Sequence, residues 1–142
     1  MSFGFSGFSV GDIVAISALA VKVYTAYKDA PNEYKNITKE VKSLNIIIDK
    51  AAQHFEGTAL SNNDRQQGQE VLEGCQSVLQ DLNTLIEKYK SLVSTDKRLV
   101  FMRVKLGTED IAALRARLGL NATLLSTFIQ RFDTPTIFLF CI

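Results

Sequence analysis

Histidine and cysteine are scarce in this chain. His54 is the single histidine, and Cys75 and Cys141 are the two cysteines. Two thiols build no disulfide framework and show no metal-ligand spacing, which fits a reducing compartment. There is no Glu-x-x-His pair of the kind that holds a metal inside a helical bundle. No Ser/His/Asp or Cys/His grouping is favoured by spacing, and no catalytic constellation can be named. The sequence therefore reads as a non-enzyme, with no metal and no cofactor. Net charge is equally bare. Lys plus Arg is 16 against 15 for Asp plus Glu, a formal charge of +1, which argues against bulk attraction to nucleic acid. A long hydrophobic run is missing too. Ile13 to Val21 is nine uncharged residues and Lys22 ends the run, whereas a membrane-spanning helix needs about twenty. No Lys or Arg precedes the apolar part of the opening and serines interrupt it, so it is a poor secretory signal. Strand alternation, a phosphate loop and long repeats are also absent.

Helical periodicity is what the chain does contain. Its 142 residues suit one domain, and 46% hydrophobic with 22% charged residues suits a folded one. Ile13, Ile16, Ala20, Val23 and Tyr27 recur at intervals of three and four, one face of a helix over 10–29. Ser9 with Asp12 resembles a capping box at its start, and Ala30-Pro31 ends it. Pro31 suits the first position of a second helix, 31–56, carrying Tyr34, Ile37, Val41, Leu44, Ile48, Ala51 and Phe55. Gly57 stops it, and Gly57 to Asp64 reads as a loop.

A third helix over 64–94 carries Val71, Cys75, Val78, Leu82, Leu85, Tyr89 and Leu92. A second row of Leu72, Leu79, Ile86 and Val93 runs beside the first, a breadth suited to a bundle interior. Gly68 and Gly74 weaken its first half by about 1 kcal/mol each, so it should be clearest from Glu70 onward. Thr108 is a good N-cap for a fourth helix, 108–133, with Ile111, Leu114, Leu118, Asn121, Leu125, Phe128 and Phe132 on one line. The expectation is an all-α fold, a four-helix bundle with antiparallel neighbours and a tight hairpin between the first two helices. Residues 1–133 form the domain, with 1–9 as an apolar leader and 134–142 as an apolar tail.

Several features stand beside the bundle. The leader holds Phe3, Phe5 and Phe8, which helical packing does not explain. Lys97, Arg98, Arg103 and Lys105 alternate with apolar residues between the third and fourth helices. They read either as a short amphipathic connector or as a contact for anionic lipid or an acidic partner. Asn121 breaks the apolar line of its helix. It is either a wet boundary residue or a buried polar group that fixes register. Asn36-Ile37-Thr38 and Asn121-Ala122-Thr123 match a glycosylation pattern but fall inside expected helices. The tail from Ile137 to Ile142 is too short to span a bilayer.

Four stretches together carry a resemblance: MSFGFSGFSVGDIVAISALAVKVY, KDAPNEYKNITKEVKSLNIII, VLEGCQSVLQDLNTLIEKYKSL and TEDIAALRARLGLNATLLSTFIQRF. In this order, with Phe-Ser-Val-Gly-Asp at 8–12, Asp-Ala-Pro at 29–31 and Asn-x-x-Leu-Leu at 121–125, the chain resembles the HeLo-like N-terminal domain of fungal STAND (NLR-like) immune proteins. The resemblance implies a helical bundle acting as a signalling or cell-death effector in fungal innate immunity and heterokaryon incompatibility. It implies that residues 1–23, including Ile13, Ile16 and Leu19, form the membrane-active segment, which permeabilises membranes after oligomerisation. The implied partners are a second copy, a STAND receptor and anionic membrane lipid. The implied location is cytoplasmic with conditional recruitment to a membrane. The alternative is a non-lytic helical interaction module that oligomerises or adapts without touching lipid.

Overall fold

The computed structural model describes residues 10–30, 34–57, 60–93 and 111–131. Four helices account for nearly all of them: α1 (Val10–Lys28), α2 (Lys35–Gly57), α3 (Asn62–Val93) and α4 (111–131). No described residue is in a strand. The protein is an all-α four-helix bundle.

The helix ends have local causes. Past Lys28 the chain turns, and the Ala30 amide donates to the Tyr27 carbonyl at 3.0 Å. Residues 31–33, where Pro31 is expected to open α2, lie outside the described set, and regular α2 begins at Lys35. It ends at Gly57, as the stop signal requires. The third helix starts earlier than the sequence suggested. Ser61 is its N-cap: its Oγ accepts from the Asp64 amide at 3.1 Å, and its carbonyl accepts from the Arg65 amide at 2.9 Å. The two glycines do not delay the helix, because packing against α2 and α4 compensates for their poor propensity.

Side-chain contacts fix the arrangement. Tyr27 meets Tyr34 and Ser17 meets Asn45 and Asp49, so α1 and α2 run antiparallel. Asp81 and Ser77 meet Arg117, and Asp64 meets Arg131, so α3 and α4 are also antiparallel. The two hairpins pack with α1 against α3, where Tyr27 reaches Leu82. They meet again with α4 against α2, where Glu40 meets Arg115 and Phe55 meets Phe128. These last two pairs, adjacent in space but not in sequence, are parallel, while helices consecutive in sequence alternate in direction. Sequence neighbours α2 and α3 lie diagonally to each other, meeting where Phe55 approaches Gly68.

The core is one cluster drawn from all four helices. On α1 and α2 the expected lines are buried from Ile13 to Tyr27 and from Tyr34 to Ala51, with Phe55 half-buried at the end. On α3 the centre of the stripe lies between the two expected rows. Leu72, Cys75, Val78, Leu79, Leu82 and Ile86 are buried, while Val71 and Leu85 sit at its edge. On α4 the buried line is Ile111, Leu114, Leu118, Leu125 and Phe128, with Ile129 added.

Candidate functional site: the first helix and its attachments

The first helix is unlike the other three. One line of it, Ile13, Ile16, Ala20, Val23 and Tyr27, is at most 6% exposed. Its opposite line is also uncharged along most of its length. Val14 is 56% and Val21 48% exposed, with Ala15 and Ala18 open to solvent beside them. A bundle helix ordinarily sets a polar face against water. Here the charges are confined to Asp12, Lys22 and Lys28.

Two side-chain contacts tie α1 to the rest. Ser17 Oγ lies 2.8 Å from Asp49 Oδ1 and 3.0 Å from the Asn45 side chain, both on α2. A hydroxyl has one proton to give, and the carboxylate is the stronger acceptor. At the other end the Tyr27 hydroxyl donates to the Leu82 carbonyl of α3 at 2.7 Å, inside the core. Burial, with the neighbouring Tyr34 phenol, pushes the Tyr27 ionisation well above the usual range, so the phenol stays a donor. The Tyr27 and Tyr34 rings meet edge-on, centroids 5.8 Å apart.

The fourth helix is held differently. Arg115 forms a two-pronged pair with Glu40, both bonds at 3.0 Å. Arg117 reaches Asp81 at 2.6 Å and Ser77 at 3.1 Å. Arg131 reaches Asp64 at 3.0 Å and lies over the Phe128 ring. Each pair is exposed enough to contribute only about 0–1 kcal/mol. Their directional effect is larger. All three arginines fold sideways onto α2 or α3, and the outer face of α4 is left with uncharged residues, including Leu120 and Leu124.

The expected site residues do not gather in one place. Ile13 and Ile16 are core residues, and Leu19 is half-buried against the same cluster. Phe3, Phe5 and Phe8 lie outside the described residues, as do Lys97, Arg98, Arg103, Lys105 and the 134–142 tail. Asn121 is half-buried. Its amide donates to the Arg117 carbonyl of its own helix at 2.8 Å, and its side chain faces Gly74 of α3. The Cys75 thiol points at the Asn121 carbonyl at 3.9 Å, and burial pushes it up to about 12. Sequence reasoning missed the Ser17 and Tyr27 ties. The signal for the first was present, since Ser17 is a hydroxyl inside an apolar run.

Among the described residues no helix is long and apolar enough to cross a membrane, and no three His, Cys, Asp or Glu side chains are grouped to hold a metal ion. A scan against family models, a search of curated proteins and a search of solved structures each found no match to this chain.

Proposed function

We propose that this chain is the N-terminal effector domain of a fungal immune-type, programmed-cell-death protein, a HeLo-like bundle that acts on membranes after oligomerising. One observation carries the proposal: the exposed side of α1 is uncharged from Ile13 to Val21, opposite a buried apolar line. Such a helix can leave the bundle without bringing a charged stripe into lipid. The likeness of the opening residues to the HeLo-like segment supports the same reading. In the resting state Ser17 and Tyr27 hold α1 in place. On activation it moves toward the bilayer together with the Phe3, Phe5 and Phe8 leader. Oligomers are required, because one short helix cannot satisfy its polar groups in hydrocarbon. The protein is cytoplasmic until it is recruited, and a STAND receptor supplies the trigger.

A second reading has its own support. The uncharged outer face of α4, with Leu120 59% and Leu124 44% exposed, suits a non-lytic module that binds a second copy or a receptor. Dye release from vesicles separates the two. The full chain, oligomerised by a chemical dimeriser, is expected to empty vesicles containing phosphatidylserine. A protein that oligomerises yet neither binds nor permeabilises such vesicles is an interaction module.

A further inference from the structure

We propose that the intact bundle docks on anionic bilayers through the face shared by α1 and α2, before any helix is released. The inference rests on the membrane reading above and names the surface and the lipid class. Its basis is the placement of charge on α2. Lys35, Lys39, Lys42 and Ile46 recur at intervals of four, three and four, which is one line along the helix. The three lysines are exposed, and Ile46 is 50% exposed. On α1, Val14 and Val21 lie seven residues apart on a parallel line. The Ser17 contact with Asn45 and Asp49 fixes the seam between these helices, and both lines lie on the solvent side of it.

Among the described residues the exposed carboxylates near the three lysines are Asp29, in the turn after α1, and Asp49, at the seam. Glu40 lies on the other flank of α2, paired with Arg115. Asp49 accepts from Ser17. None of the three lysines is in an ion pair among the described residues. On the opposite corner of the bundle α3 exposes Glu70, Glu73 and Glu87. Among the described residues the α2 line is cationic and apolar-studded, whereas α3 mixes these glutamates with exposed Arg65, Lys88 and Lys90. An anionic membrane is the complement of the first. Cations draw the face down within a Debye length, and the valines and Ile46 enter the interfacial layer. A protein partner lacks a comparable argument, because this face has no contiguous apolar centre for a stable interface.

The test is flotation of the full chain with vesicles of phosphatidylcholine alone or mixed with phosphatidylserine. Binding is expected only to the mixed vesicles, and salt should release it. Lys35→Glu/Lys39→Glu/Lys42→Glu is expected to weaken binding by about a hundredfold or more, at the usual contribution per basic residue. Circular dichroism should show the wild-type fold. If charge reversal disturbs folding, Lys35→Gln/Lys39→Gln/Lys42→Gln gives the same reading. Equal binding by wild type and either variant overturns the proposal while leaving the membrane reading intact. So does equal binding to both vesicle types. A variant whose oligomer mass changes while its vesicle binding does not would assign the face to a protein and overturn the proposal. A wild-type chain that binds no vesicle overturns both.

Discussion

Gly68, Gly74 and Gly119 all lie in helix interiors, where glycine costs about 1 kcal/mol relative to alanine. Their surroundings separate them. A Cβ on Gly68 would come within 2.8 Å of the Phe55 ring and 3.1 Å of the Phe128 ring. A Cβ on Gly74 would collide with the Asn121 side chain. Nothing lies within 4 Å of a Cβ on Gly119. Gly119→Ala is therefore expected to stabilise the protein by up to about 1 kcal/mol. Gly68→Ala should destabilise it by about 1–2 kcal/mol, because pushing the Phe55 and Phe128 rings aside outweighs the gain in propensity. Chemical denaturation of both variants checks this pair. Gly74→Ala should be better tolerated beside Asn121→Ala than alone, a coupling of about 0.5–2 kcal/mol in a double-mutant cycle. Read from sequence, Gly68 and Gly74 were only weak points in a helix. Their use as close-approach positions depends on Phe55, Phe128 and Asn121, which are distant in sequence, so no local pattern could show it.

The elements differ in how they are attached, and the tie of α1 to α3 can be cut by removing one oxygen. Tyr27→Phe keeps the ring against Tyr34 and removes only the bond to the Leu82 carbonyl. It is expected to cost about 1 kcal/mol and to speed hydrogen exchange in α1 more than in α4. Equal acceleration in both helices would show that the bond supports the bundle as a whole. The core lines of α1 and α2 were legible because each is a single stripe with a clear phase. Helix α3 was less so, since its two adjacent rows leave the phase open. Packing between α1 and α4 selects Leu72, Leu79 and Ile86 with Cys75, Val78 and Leu82, and leaves Val71 and Leu85 at the margin. The early start of α3 was readable in Ser61 and Asp64, a cap pattern placed instead inside a loop. The ties made by Ser17, Tyr27 and the three arginines were hidden, because each needs a partner fixed by the arrangement of the helices.

At the scale of the whole molecule, stability should fall on the alkaline side. The ordinary thiol ionises near 9.0 and burial holds Cys75 at about 12. Below pH 9 both folded and unfolded chains keep the proton. Between these values the unfolded chain releases it and the folded chain does not, so stability drops with rising pH by up to about 1.4 kcal/mol per unit. From pH 9 to 10.5 the wild type should lose about 1.6 kcal/mol more than Cys75→Ala. Matching losses would mean that the thiol is not shielded in the folded state.

The proposed membrane step is tested most directly at Ala15. It is exposed on α1, so Ala15→Glu should leave the bundle folded. A carboxylate at that position costs about 2.5–3.5 kcal/mol in the middle of a bilayer, and α1 would no longer enter it. The measurement is dye release from phosphatidylserine-containing vesicles by the oligomerised full chain. Loss of release by Ala15→Glu, with wild-type vesicle binding and wild-type melting retained, is the predicted result. Undiminished release by a folded Ala15→Glu protein would contradict the account, because the first helix would then not be the part that enters the membrane.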